Sequence, residues 1–171
     1  MDNVFRAIGN FAVRDEEGDR FRPSRYMTDY FTDEAVNAIE ANKNRPFFLY
    51  LSYNAPHTPL QALKSDYDAL THIKDHRLRV YAAMIKAVDR GVGRVVDKLQ
   101  AEGLDENTLV IFTSDNGGSP NVGLPQVNAP MRGFKASFFE GGVRVPFFMK
   151  WPKAIPAGGQ HLAPIAQMDI F

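Results

Sequence analysis

Two uninterrupted apolar runs constrain the fold of this 171-residue chain more than any other feature. They occupy residues 47–53 (FFLYLSY) and 108–113 (TLVIFT), and turn-forming residues follow each one. Runs of this kind are typical of strands buried in a sheet that is covered on both faces. Between them, residues 75–102 repeat apolar side chains at helical spacing, which predicts a long amphipathic helix. The alternation predicts an α/β fold with a largely parallel or mixed sheet flanked by helices.

The rest of the chain predicts further elements. A helix is expected over residues 28–41, with Thr28 or Thr32 as its N-cap. Residues 143–151 predict a third strand, and the charged residues 14–25 predict a surface loop.

Three glycines mark special positions in or after the long helix. Gly103 is placed to end it as a C-terminal cap. Gly91 and Gly93 lie inside it, where each costs roughly 1 kcal/mol relative to alanine. We therefore expect close packing or a bend at these two glycines.

The composition excludes several kinds of partner and site. The 20 basic and 20 acidic residues cancel, so net charge supports neither a nucleic acid nor an anionic membrane as a partner. The absence of cysteine excludes disulfides, thiolate metal ligands and a cysteine nucleophile within these residues. No stretch approaches the roughly 20 apolar residues of a membrane span. The first residues lack the pattern of a signal peptide, and no feature indicates an oligomeric state.

Polar residues follow both predicted buried strands. His57 comes just after the first strand, and Asp115 and Asn116 come just after the second. Ligands bind beyond the carboxyl ends of strands in open α/β sheets, so we expect these residues on one rim.

Asp115 and Asn116 offer two hard oxygen ligands, which suit Ca²⁺ or Mg²⁺ better than zinc. Gly117 and Gly118 allow the backbone to turn sharply there. The same residues are also a common turn sequence without a ligand.

His57 and Lys135 are the other candidates. A histidine at the rim can bind an anion or protonate a leaving oxygen, although a lone histidine is more often structural. Lys135, in the segment 131–135 (MRGFK), is a point charge suited to a sulfate or phosphate oxygen, unless that segment is simply a solvated loop. A cation site, a lysine and a histidine together suit a tetrahedral oxyanion ester.

Three motifs, in order, resemble the type I formylglycine-dependent sulfatases. Residues 47–59 (FFLYLSYNAPHTP) are similar to the family's histidine loop, and residues 113–118 (TSDNGG) to its second metal-binding segment. Residues 131–135 and 140–146 (EGGVRVP) are similar to its lysine loop and the strand that follows.

The resemblance implies a partial alkaline-phosphatase-like α/β sandwich. It implies Ca²⁺, with Mg²⁺ as the alternative, bound in part by Asp115 and Asn116. It implies that His57 and Lys135 are catalytic and contact a sulfated small molecule or glycan. It also implies a periplasmic or extracellular location for the full-length protein.

The nucleophile implied by the resemblance is missing from this sequence. The family makes formylglycine from Cys or Ser in a Cys/Ser-x-Pro-x-Arg motif, and residues 21–25 (FRPSR) place Phe21 at the first position. We therefore interpret residues 1–171 as part of one catalytic domain, with residues 1–25 a variable surface region and residues 26–171 matching the family. The missing N-terminal part is expected upstream, and the chain alone is expected to be inactive.

The sequence leaves two other functions open. A phosphodiesterase or phosphonate monoester hydrolase of the same superfamily would use similar metal and lysine chemistry. A non-catalytic protein that binds a metal or a sulfated glycan is the second alternative.

Overall fold

The computed structural model describes residues 13–14 and 20–170. The helices in this part of the chain are α1 (Met27–Asn42), α2 (Lys64–Asp68), α3 (His76–Ala101) and α4 (Glu140–Val143). The strands are β1 (Val13–Arg14), β2 (Arg20–Phe21), β3 (Val110–Thr113) and β4 (Phe147–Lys150). Single 3₁₀ turns lie at Asp105–Asn107, Pro120–Val122 and Gln167–Ile170. This mixture of helices and small sheets confirms the predicted α/β class.

Helix α1 matches its predicted position, but the predicted N-cap is wrong. The cap is Tyr26, and no side chain accepts a hydrogen bond from the first turn. Thr28 and Thr32 are buried instead, and Thr32 Oγ1 donates to the Thr28 carbonyl at 2.8 Å. Both threonines lie on the face that packs inward, so their hydroxyls are not available to the helix terminus.

Helix α3 confirms the long amphipathic helix that the sequence predicts. Asp75 caps its start by accepting a 2.7 Å hydrogen bond from the Leu78 amide. Gly103 follows its end with a φ of +67°, a left-handed conformation that glycine adopts at low cost.

The core lies where α3 packs on α1 and on the segment before α2. The fully or nearly fully buried apolar side chains there are Ala35, Ile39, Ala62, Val80, Ala83, Met84, Ala87 and Leu99. Gly91 lies at a close approach, because a Cβ atom there would meet Thr32 Oγ1 and the Tyr53 hydroxyl, each at 2.5 Å. The expected close packing is confirmed for Gly91. At Gly93 close packing is not found, since no atom lies within 4 Å of a Cβ built there, and a bend stays a prediction.

Charged side chains add an ion-pair network between three helices. The Asp66 side chain on α2 is 3% exposed and accepts hydrogen bonds from Arg90 at 2.6 Å and Lys86 at 3.1 Å, both on α3. Arg90 also pairs with Asp29 on α1 at 3.0 Å. A buried carboxylate is tolerated when paired in this way.

The predicted strand over residues 47–53 differs from what the structure shows. The segment is extended, but it belongs to no sheet formed within the described part of the chain. Its odd-numbered residues are half-buried, whereas Phe48 and Tyr50 are 77% and 81% exposed. The predicted burial on both faces was therefore wrong. Tyr53 packs inward against Thr32 of α1 and Gly91 of α3, whereas Phe48 and Tyr50 are left exposed.

Strands β3 and β4 form an antiparallel pair, with Val110 opposite Lys150 and Thr113 opposite Phe147. β3 is two residues shorter than predicted, and the predicted third strand begins at Phe147, because Val143 belongs to α4. The sheet pairing within the described residues is antiparallel, whereas the sequence predicts a largely parallel or mixed sheet.

The predicted surface loop over residues 14–25 contains a short antiparallel pair, since Val13 lies opposite Phe21 and Arg14 opposite Arg20. Phe21 contacts Tyr30 of α1 edge to face, with ring centroids 5.8 Å apart. Among the described residues, no helix is long and apolar enough to cross a membrane.

Candidate active site

A cleft of about 2770 Å³ brings the four predicted site residues together. His57, Asp115, Asn116 and Lys135 all line it, although they come from three separate segments of the chain. Its apolar wall includes a second stripe of α3, formed by Ile85, Val88, Val92, Val95 and Val96. The four residues line one cleft, and their placement on a single rim stays a prediction.

Asp115 and Asn116 present their oxygens just beyond β3. Asp115 is exposed, and no basic side chain in the described part of the chain forms an ion pair with it. Asn116 uses its amide nitrogen to donate to the Gly117 carbonyl at 2.8 Å, which turns its side chain and leaves Oδ1 available. Ser114 Oγ donates to the Asn116 carbonyl at 3.1 Å and steadies the turn.

These two oxygens fit a hard divalent cation but provide only part of a site. Ca²⁺ takes six to eight oxygen ligands, and carboxylate and amide oxygens are typical ones. The residues that the structure describes contain no group of three or more His, Cys, Asp or Glu side chains that could hold a metal ion. Further ligands would have to come from elsewhere.

His57 has a defined tautomer. Its Nδ1 lies 2.7 Å from the Thr58 carbonyl oxygen, and because a carbonyl only accepts, Nδ1 carries the hydrogen. The His57 amide also donates to the Asn54 carbonyl at 2.9 Å, which closes a tight turn. The ring is exposed, so Nε2 is the nitrogen available to a ligand in the cleft.

Lys135 is joined through its backbone to the turn that follows β3. Its amide donates to the Gly118 carbonyl at 3.0 Å, and its half-buried side chain lines the cleft. Arg132, the other cation of this loop, instead lies over the Phe139 ring at 3.9 Å from the centroid. Of the two cationic side chains in this loop, Lys135 is therefore the one that lines the cleft.

Glycines allow the turn after β3 to touch the loop that bears Lys135 and the helix α4 that follows it. The Gly117 amide donates to the Gly142 carbonyl at 2.9 Å, and a Cβ at Gly117 would lie 1.8 Å from the Gly141 carbonyl oxygen. The Gly141 amide donates to the Arg132 carbonyl at 2.7 Å. Any side chain at these positions would force the two segments apart.

Asn128 is a residue of the site that sequence analysis missed. Its side chain hydrogen-bonds the backbone of both Gly118 and Gly133. It lies in the loop-rich stretch over residues 117–137, where no periodicity distinguishes one asparagine from another. Only the spatial meeting of two loops reveals it.

The segment that imitates a formylglycine motif has a structural role at its first position. Phe21 lies in β2 and packs on Tyr30, while Arg22, Pro23 and Ser24 reach the edge of the cleft. Arg25 is exposed and forms an ion pair with Asp33 of α1.

Comparisons with known proteins agree on one family. The profile of the Sulfatase family matches residues 1–171. The chain is 35% identical over 149 residues to the uncharacterized sulfatase YdeN of Escherichia coli K12, covering 85% of this chain and 26% of YdeN. It is 34% identical over 180 residues to human steryl-sulfatase, covering 99% of this chain and 29% of that protein.

A crystal structure of Ps i-CgsB in complex with k-i-k-neocarrahexaose superimposes with a TM-score of 0.84 at 44% identity. The match covers 90% of this chain and 34% of that one, so the chain spans about a third of this relative and less of the two above. The likeness confirms the partial alkaline-phosphatase-like α/β sandwich. The motifs and fold of the chain, together with the profile match over residues 1–171, show that this chain belongs to the sulfatase family.

Proposed function

We propose that the full-length protein hydrolyses sulfate esters and that this chain supplies part of its cation- and sulfate-binding site. The observation that carries the proposal is the shared cleft. In a chain of the sulfatase family, it gathers two hard oxygens, one lysine and one histidine from three segments.

Asp115 and Asn116 would hold Ca²⁺, with Mg²⁺ as the second choice, through a carboxylate oxygen and Asn116 Oδ1. A bound divalent cation neutralises negative charge on the ester's non-bridging oxygens. The hydrogen bond from the Asn116 side-chain nitrogen to Gly117 supports this role, because it commits the nitrogen and leaves the oxygen for a ligand.

Lys135 and His57 would act on opposite parts of the ester. The Lys135 ammonium donates to a non-bridging sulfate oxygen, where charge builds in the transition state. In its imidazolium form His57 would transfer the Nε2 proton to the departing alcohol oxygen and become neutral, while Nδ1–H stays bonded to the Thr58 carbonyl. That second hydrogen bond keeps the ring oriented as the proton leaves.

The nucleophile must come from outside this sequence. We propose a formylglycine supplied by another part of the full-length catalytic domain, because these residues contain no cysteine and no Cys/Ser-x-Pro-x-Arg motif. The remaining cation ligands would come from the same part. By this proposal the 171-residue chain alone is inactive and binds Ca²⁺ weakly.

A sulfated glycan is the substrate class that we propose. The cleft is large, at about 2770 Å³, and Ps i-CgsB, at 44% identity, was crystallised with k-i-k-neocarrahexaose. A periplasmic or extracellular location stays a prediction from the family resemblance.

The test is an activity panel on the full-length protein, comprising a sulfated oligosaccharide, an aryl sulfate, a phosphodiester and a phosphonate monoester. We expect sulfate-ester turnover, reduced about 100- to 1000-fold in Lys135→Ala. The exposed Lys153→Ala serves as the matched control and should be unchanged. Turnover of the phosphodiester without the sulfate esters would identify a phosphodiesterase, and cation binding without any turnover would identify a binding protein.

A further inference from the structure

We propose that Asn128 is a positioning residue that locks the Asp115–Asn116 segment to the lysine segment, so that cation affinity and the placement of Lys135 depend on one side chain. The inference rests on the proposed function for its catalytic part. Asn128 itself contacts only backbone and is not suited to touch the substrate.

The geometry is a two-point pairing between a side-chain amide and a peptide backbone. Asn128 Oδ1 accepts from the Gly118 amide at 2.7 Å, and Asn128 Nδ2 donates to the Gly118 carbonyl at 3.0 Å. The same nitrogen donates to the Gly133 carbonyl at 3.1 Å. Both donor hydrogens and the acceptor oxygen of the amide are thus used on backbone groups.

The two glycines stand next to the functional residues. Gly118 lies two positions after Asn116, and Gly133 lies two positions before Lys135. The Gly118 carbonyl also accepts from the Lys135 amide at 3.0 Å. The Gly118 carbonyl of the cation-binding turn therefore accepts from both the Lys135 amide and the Asn128 side chain, which links the two segments.

The fit leaves little space for an alternative. A Cβ at Gly118 would lie 2.7 Å from Val127 Cγ2 and 2.9 Å from Asn128 Oδ1. Aspartate at position 128 would keep the acceptor, but it would lose both donors and set a negative charge against two carbonyl oxygens. Alanine would remove all three hydrogen bonds and leave the groups unpaired in a half-buried site.

Other contacts should keep the loops folded when Asn128 is changed. Gly117 remains bonded to Gly142 at 2.9 Å, and Gly141 to Arg132 at 2.7 Å. We expect the segments to stay together but to lose their exact spacing, which is the quantity that ligand groups require.

The experiment uses the full-length protein with Asn128→Ala, Asn128→Ser and Asn128→Asp, and with the exposed Asn121→Ala of the same loop as control. Calorimetry measures Ca²⁺ affinity without turnover, steady-state assays give kcat and KM, and thermal unfolding in chelator reports the fold. We expect Ca²⁺ affinity and kcat to fall about 10- to 100-fold for Asn128→Ala, the scale typical of residues that orient ligands. Both quantities should fall further in Asn128→Asp and less in Asn128→Ser, and they should be unchanged in Asn121→Ala.

The outcomes separate the inference from the proposed function. Folded Asn128 variants with wild-type Ca²⁺ affinity would overturn the inference, even if the wild-type protein hydrolyses sulfate esters. Weakened Ca²⁺ binding in a protein without sulfatase activity would support the inference and overturn the proposed function instead. A lower unfolding temperature with unchanged Ca²⁺ affinity would show that Asn128 is merely structural, and this result would also overturn the inference. If Asn128→Ala does not fold, the milder Asn128→Ser is used for the same comparison.

Discussion

Arg90 donates from Nη1 to Asp66 Oδ1 at 2.6 Å and thereby joins the middle of α3 to α2. Because α2 follows the segment that bears His57, this ion pair anchors that segment from its C-terminal side. The second nitrogen of the guanidinium reaches Asp29 at 3.0 Å, so α1 is included in the same network.

Replacement of Asp66 by asparagine should destabilise the folded protein. The substitution keeps the size of the side chain but removes the charge that faces Arg90 and Lys86. We expect a loss of about 2 kcal/mol in the free energy of unfolding, measured by urea denaturation. The control is Asp68→Asn, which breaks the exposed pair with Lys64 and should cost at most about 0.5 kcal/mol. Equal losses in the two variants would contradict the role assigned to Asp66.

The stabilisation by Asp66 should disappear in acid. Burial raises the pKa of Asp66, but the hydrogen bonds and charges of Arg90 and Lys86 lower the pKa by more, so it lies below its ordinary value. The folded state therefore binds fewer protons than the unfolded state. Stabilisation is complete above the unfolded pKa of about 4 and is lost as pH falls through the folded pKa. The difference in unfolding free energy between wild type and Asp66→Asn should be constant from about pH 6 to 8 and disappear below about pH 4. A difference that widens in acid would contradict the lowered pKa of Asp66.

Substitution of His57 by glutamine should affect substrates according to their leaving group. A poor leaving group, such as a sugar hydroxyl, needs the proton from Nε2, whereas a nitrophenol leaves without it. We expect kcat/KM of the full-length enzyme to fall about 100- to 10,000-fold for an alkyl or glycan sulfate and much less for an activated aryl sulfate. The exposed His72→Gln is the matched control. A uniform loss across leaving groups would show that His57 binds sulfate and donates no proton.

Asp115→Asn should weaken cation binding in the full-length protein. The variant retains an oxygen at the same place but removes one negative charge, and ligand charge sets much of the affinity for Ca²⁺. Calorimetry should show a loss of about 10-fold or more. The exposed Asp97→Asn on α3 should bind as the wild type does, and an unchanged affinity in Asp115→Asn would remove this residue from the site.

Local patterns were sufficient to predict the long helix and the order of the elements. The period of apolar residues and the caps Asp75 and Gly103 act within a few residues of one another, so the sequence displays them directly. The motifs that carry His57, Asp115 and Lys135 were also visible in the sequence, and all three residues line the same cleft.

Features that depend on distant neighbours were not predictable in the same way. Thr28 has the chemistry of a helix cap, but tertiary packing buries it. The segment over residues 47–53 has the composition of a central strand, yet ladder formation requires a partner that composition does not specify. Asn128 was missed for the same reason, since its role exists only where two loops meet.

The absence of a side chain at Gly91 limits how this protein can vary during evolution. The Tyr53 hydroxyl and Thr32 Oγ1 lie 2.5 Å from where a methyl group would begin, and Tyr53 precedes His57 by only four residues. Even the smallest side chain would have to displace the tyrosine or the threonine. A helix position with no chemistry of its own thus restricts the placement of the segment that carries His57.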